Sequence, residues 1–265
     1  MKKSILLAAL FCLIIVLTSC SQPGEISVSK YFQAMKMNDK DTMSSMALEP
    51  KDLEFKSFEI VTIGEPEEKD LELPIFEQKM RDMIKEKTNL GNLAMDAQDE
   101  LEDLKDELAE TRRSSQKAQV QEKIKEAELV FAEQKQNYNM LLMNIAGLQK
   151  KISREKDQIR MSTGRTESLN LFTGKSFYQK VEVKVTLNNG DVNDYVFLLK
   201  KTDLTLEEKT IDGRLIIVKI LSAADFEKEA QAEEAEAAAE KITEEITEEK
   251  TEEVSEDATA EEKNE

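Results

Sequence analysis

Between Pro74 and Gly164 the chain follows one rule. Phe76, Met80, Met83, Lys87, Leu90, Ala94, Ala97, Leu101, Leu104, Leu108 and Thr111 return at alternating spacings of four and three, and only Lys87 and Thr111 break the apolar character. That spacing is the a/d seam of a coiled coil. A second register runs through Val120, Ile124, Ala127, Phe131, Gln134, Tyr138, Leu141, Ile145, Leu148, Ile152, Glu155 and Ile159. The two do not join: extending the first would put Ser115, Ala118, Glu122 and Lys125 on the seam. The break falls in TRRSSQK, Thr111 to Lys117, which has neither Gly nor Pro. Two arrangements satisfy the pattern: an antiparallel hairpin with its tip near Ser114 and Ser115, or one long stuttering helix paired with another chain. The flanks favour the hairpin. Strand-like segments lie on both sides and need each other to bury their apolar faces, whereas a straight helix would separate them by roughly 130 Å. Pro74 near the start and Gly164 just past the end match the asymmetry of helix termini.

Outside this stretch the period changes. Val28, Tyr31, Phe32 and Met35 share one face of a helix expected over Ile26–Met37. Asn38-Asp39 caps a second short helix, Asp41 to Leu48, which Glu49-Pro50 ends. Phe55 to Ile63 reads as a strand, with Phe58 and Ile60 on one face and Val61 and Ile63 on the other. Beyond the hairpin, Phe177, Val181, Val183, Val185 and Leu187 alternate with Tyr178, Lys180, Glu182, Lys184 and Thr186, giving one buried and one wet face. Asn189-Gly190 is a strong turn signal, Val192 to Lys200 returns as a strand apolar on both faces, and Asp212-Gly213 precedes a last strand, Arg214 to Leu221. The expected fold is α+β: two short N-terminal helices and a small antiparallel sheet, interrupted by a long antiparallel helical hairpin and followed by an acidic tail. The segments are 26–66 for the first part of the domain, 74–163 for the coiled coil, 170–222 for the second part and 223–265 for the tail.

The first twenty residues differ from all of this. Lys2 and Lys3 precede an apolar run from Ile5 to Leu17, and Leu17-Thr18-Ser19-Cys20 closes it. The run is too short for a membrane span, which needs roughly 20 apolar residues, and has the three parts of a secretory signal over residues 1–19. Leu, two small residues and Cys resemble the bacterial lipobox. The resemblance implies cleavage before Cys20, a diacylglyceryl thioether on its sulfur and often a third acyl chain, such as palmitate, on the new amino group. Residues 20–25 then form a lipidated terminus and linker, and two or three chains meet the requirement for stable anchoring. The implied location is the extracytoplasmic face of a membrane. Ser21 is similar to the pattern sorted to the outer membrane, facing the periplasm, in bacteria with two membranes.

Charge refines the picture. The net charge is −18, but residues 225–265 hold 18 acidic and 4 basic residues, so most of it sits in the tail. A near-neutral body argues against nucleic acid, whose phosphates need clustered Lys and Arg. The tail is expected to be disordered, because it lacks the apolar residues that offset ordering entropy. The chain has no His, and its other cysteine, Cys12, lies in the signal. With cleavage, no free thiol remains for a disulfide, a zinc site or a redox pair. No glycine-rich phosphate loop, nucleophile elbow or Cys/His cluster occurs. We expect no catalytic residues, no metal and no cofactor, and a non-enzymatic role.

Two further resemblances concern the body. Val28, Tyr31, Phe32, Ala34 and Asp39, with the strand Phe55–Ile63, resemble the opening of small bacterial lipoproteins of the nuclear-transport-factor-like cone fold. That resemblance implies a cone lined by Phe32, Phe58, Val183 and Phe197, and hence ligand binding. Catalytic members of that class use Asp and His, and no His is present here. A helical hairpin between β-segments is also similar to the periplasmic adaptors of efflux and secretion systems, although only about 12 strand residues precede the rod. The leading expectation is a lipid-anchored adaptor or spacer of the cell envelope. Its hairpin tip, Arg112, Arg113, Ser114 and Ser115, would meet an envelope protein partner.

Overall fold

The computed structural model describes residues 22–207 and 209–232. The elements are α1 (Pro23–Lys36), α2 (Lys40–Met46), β1 (Phe55–Ile63), β2 (Glu67–Asp70), α3 (Glu72–Glu110), α4 (Ser114–Thr163), a 3-10 turn (Leu169–Leu171), β3 (Thr173–Leu187), β4 (Val192–Leu206), β5 (Lys209–Ile211) and β6 (Ile216–Ser222). Residues 223–232 are helical. The architecture is α+β, with short helices, an antiparallel sheet and a long helix pair. Among the described residues the sheet has six strands in the order β1-β3-β4-β5, with β2 also pairing β3 and β6 also pairing β4. The acidic tail beyond 232, Cys20 and the signal lie outside the described residues.

The chain divides into two units. The first takes residues through Pro66, Gln179–Leu199 and residues from Ile217 on. In it α1 opens with Pro23 in its first turn and buries Val28, Tyr31, Phe32, Ala34 and Met35. The Asp39 carboxylate accepts the Thr42 amide at 3.0 Å and the Thr42 hydroxyl at 2.6 Å, which caps α2. Those bonds, the hydroxyl one first, hold the Asp39 carboxyl below its ordinary pKa. β1 pairs antiparallel with β3. Its register slips between Phe55 and Ser57 and again between Ile60 and Thr62. Each bulge adds a residue to one strand and re-phases the residues beyond it. Phe55, Phe58, Ile60 and Ile63 are therefore all half-buried, while Val61 is exposed. Ile63 shares its burial with Phe58 and not, as the plain alternation predicts, with Val61.

The second unit comprises Glu67–Tyr178 and Lys200–Ile216. It holds the long helix pair together with β2, β5 and the ends of β3 and β4. α3 and α4 pack against each other as an antiparallel hairpin, which excludes the single continuous helix. The turn is three residues, Thr111 to Arg113, with Thr111 and Arg113 both extended. Neither requires a positive φ, so the turn forms without glycine. Gly164 ends α4 at φ +71, a conformation in which a Cβ is strained, and its amide bonds the Arg160 carbonyl at 2.8 Å.

The seam is the one in the sequence. Ala97, Leu101, Val120, Ala127, Leu141, Ile145, Leu148, Glu155 and Ile159 are buried, and the other seam positions are half-buried, except Lys87, which is exposed. At the base, Leu71, Leu73, Ile159, Leu169, Phe172 and Leu204 form one apolar cluster. Two short strands escape the hydrophobic pattern. Glu67–Asp70 is exposed throughout and pairs with Lys175–Tyr178, and Lys209–Ile211 pairs with Leu204–Leu206. The first buries no side chain and the second only half-buries Ile211 against the apolar cluster at the base, so backbone pairing contributes most of what makes them strands.

Candidate functional site

β3 and β4 change their buried side along their length. On β4, Phe197 and Leu199 are buried, then Lys200, Thr202 and Leu204. On β3, Ser176 is buried, then Gln179, Val181, Val183 and Val185. The shift from even to odd numbers on β3 falls between Tyr178 and Gln179, and the opposite shift on β4 falls between Leu199 and Lys200. It turns a lysine inward, although strand alternation after Leu199 would leave it in water.

Lys200 is 1% exposed. Its Nζ donates to Glu155 Oε2 at 2.6 Å and to Gln158 Oε1 at 2.9 Å, both on α4. It also lies 5.0 Å from the centroid of the Tyr178 ring. Glu155 is 4% exposed, and its other oxygen finds no hydrogen-bond donor among the described residues. Burial raises the Glu155 pKa; Lys200 opposes that rise, and Glu72 adds to it. Tyr178 is pushed up as well, by burial first and then by Glu72 and Glu155. Further along α4, Ser162 Oγ donates to the Arg214 carbonyl at 2.7 Å and accepts the Thr202 amide at 3.0 Å. Gly213 is squeezed at the same place: a Cβ there would run into the Thr202 carbonyl and the Ser162 hydroxyl. On the outer side of the base, Lys156 Nζ meets Glu77 Oε1 at 2.8 Å. These contacts clamp the last turns of α4 to β4 and to α3. The arrangement is a fastening: its one free carboxylate oxygen is buried behind the helix, and its charges are matched against each other.

The residues singled out in the sequence fall in three places. Arg112 and Arg113 form the turn, Ser114 and Ser115 begin α4, and all four are exposed. Phe32, Phe58 and Phe197 pack ring on ring. Phe32 stacks on Phe58 at 4.2 Å and 8°, and lies 5.5 Å from Phe197. Val183 is buried in the same unit. Cys20 lies outside the described residues. A groove of about 380 Å³ in the first unit runs between Val61, Tyr195 and Phe226, with Lys180, Glu182 and Asp194 among its charged neighbours. Sequence reading missed Lys200 and the groove. For Lys200 the available signal was Glu155, an acid on an apolar seam that called for a buried cation.

Among the described residues no helix is long and apolar enough to cross a membrane, and no group of three or more His, Cys, Asp or Glu is placed to hold a metal. Comparison with protein families, with curated proteins and with solved structures finds no match for this chain.

Proposed function

We propose that this chain is a non-enzymatic adaptor or spacer of the cell envelope. Lipid on Cys20 holds it to the extracytoplasmic side of a membrane, the outer membrane facing the periplasm where there are two, and its helical hairpin is the working part. The observation that carries this reading is the hairpin itself. A helix of 39 residues pairs with one of 50, a rod of about 60 Å at 1.5 Å per residue. The apolar cluster at its base closes with the first turn of α3 and the last turns of α4, so the distal part adds reach and surface rather than core. Arg112, Arg113, Ser114 and Ser115 are the exposed end of that reach. The clamp of Glu155, Lys200 and Ser162 keeps its root from fraying.

Photocrosslinking in living cells from probes at Ser114 and Ser115, with a control probe in the acidic tail, tests the reading. A discrete envelope protein captured from the tip and not from the tail is the expected result. Equal or absent capture from both would remove the adaptor role and leave a plain spacer. Ligand binding by the sheet is the second reading, favoured by the groove at Val61, Tyr195 and Phe226. Native mass spectrometry of the chain purified from its host should then show a bound small molecule that Tyr195→Ala loses, and an unliganded spectrum rejects it.

A further inference from the structure

Midway along the rod, charge disappears. In a chain that is 35% charged, residues 88–95 of α3 and 136–149 of α4 contain no Asp, Glu, Lys or Arg. The two stretches overlap midway, since Gly91 lies against the Tyr138 ring, which in an antiparallel pair sets about 88–93 level with about 136–141. Where they overlap they make a collar without charge, and its centre falls near the midpoint of both helices. Apolar side chains stand out from it and beside it: Leu93, Met95, Leu129, Val130, Met140 and Met143 are each 42% to 72% exposed. Leu93 immediately precedes Ala94 on its seam, and Val130 precedes Phe131 on the other, so the two border the same flank of the antiparallel pair. The collar also carries Asn89, Asn92, Asn137 and Asn139.

On either side of the collar the rod has opposite sign. The distal part, residues 96–135, has 12 acidic and 7 basic residues. The proximal part, 72–87 with 150–163, has 6 acidic and 9 basic. We propose that two copies of the chain associate through this collar, rods side by side and antiparallel, so that the tip of each lies along the base of the other. Parallel rods would set acidic against acidic, whereas antiparallel ones set acidic against basic. In such a pair the two-fold axis passes through the collar, where every residue near the axis meets its own copy. A charge there would face its like. An asparagine amide is both donor and acceptor and can pair with itself, and methionine packs against surfaces of varied shape. A charge-free, Asn- and Met-rich band at the midpoint is therefore what the symmetry requires. Overlap along about 60 Å has room for the roughly 800 Å² per partner that a specific interface buries. Neither the anchor nor a partner at the tip is needed for this pairing.

The test uses the full chain with a photoreactive residue in place of Met140 or of Ser115, in a mixture of isotopically light and heavy copies. From Met140 the expected product is a covalent dimer of light and heavy chains joined collar to collar. From Ser115 it is a dimer whose crosslink maps to 72–87 or 150–163 of the other copy. A tip-to-tip crosslink would overturn the antiparallel arrangement, and loss of every mixed adduct would overturn the association. A charge swap reads the symmetry independently. Met140→Lys and Met140→Glu should each weaken self-association at least tenfold in sedimentation, while their equimolar mixture regains it. Three identical sedimentation profiles matching the unsubstituted chain would show that Met140 faces no copy of itself.

Discussion

Glu155 and Lys200 show how a single pair can be both buried and necessary. Taking two charges out of water is expensive, and their attraction offsets that expense only while both are present. Glu155→Ala, which strands Lys200 in the clamp, should cost about 3–5 kcal/mol in urea denaturation. The double change Glu155→Leu with Lys200→Met should be close to neutral or stabilising. If the single and double variants unfold alike, the pair is not what fastens α4. The sign of the pH effect comes from burial. The Glu155 pKa is raised in the folded state, so its contribution is fully present below the unfolded value, near the 4.5 of a free glutamate, and is lost as pH rises through the folded value. The stability of the native chain relative to Glu155→Gln should fall as pH rises from 4.5 toward neutrality; a flat difference would show that Glu155 titrates as in water. The acid was visible on its seam in the sequence. Its lysine was not, because Lys200 sits where β4 changes its buried side, and strand periodicity has no term for such a change.

For the elements, periodicity was most informative where it was longest. The hairpin carries its seam in two long registers, and their break fell within a few residues of the turn at Thr111 to Arg113. Leu141, buried between the helices, should cost about 2–3 kcal/mol when cut to Ala. The exposed Met140 next to it, cut to Ala and measured at a dilution where the chain is monomeric, should stay within about 0.5 kcal/mol. Equal losses at the two positions would mean that the seam is misassigned. Short elements were harder to read. β1 keeps Phe55, Phe58, Ile60 and Ile63 together through two bulges, which a strict period of two cannot express. β2 and β5 are too short to show a hydrophobic period: β2 is exposed throughout, β5 half-buries only Ile211, and both rest mainly on hydrogen bonds to β3 and β4.

At the scale of the whole molecule, the proposed role joins a membrane at one end to a surface at the other. Cys20→Ser should move the chain out of the detergent phase and leave its precursor uncleaved. Unchanged partitioning would remove the anchor and with it the envelope setting. Tip and collar are coupled: in the antiparallel pair each tip lies along the base of the other copy, so an envelope partner and a second copy compete for Arg112 to Ser115. A probe at Ser115 tells the two apart by what it captures, another protein or a second copy, and a probe at Met140 reports on the second copy alone.

What the sequence determined by itself was the set of long-range constraints that repeat locally: the seam with Glu155 on it, its break, the alternating strands and the α+β class. These are properties of a helix or strand meeting a face, and a period records them. Only the tertiary structure decided which partner each face meets. It turned Lys200 inward, stacked Phe32 on Phe58, and brought Gly91 against Tyr138. Each outcome depends on how distant stretches of chain lie against one another, and nothing in the local spacing of residues encodes that distance.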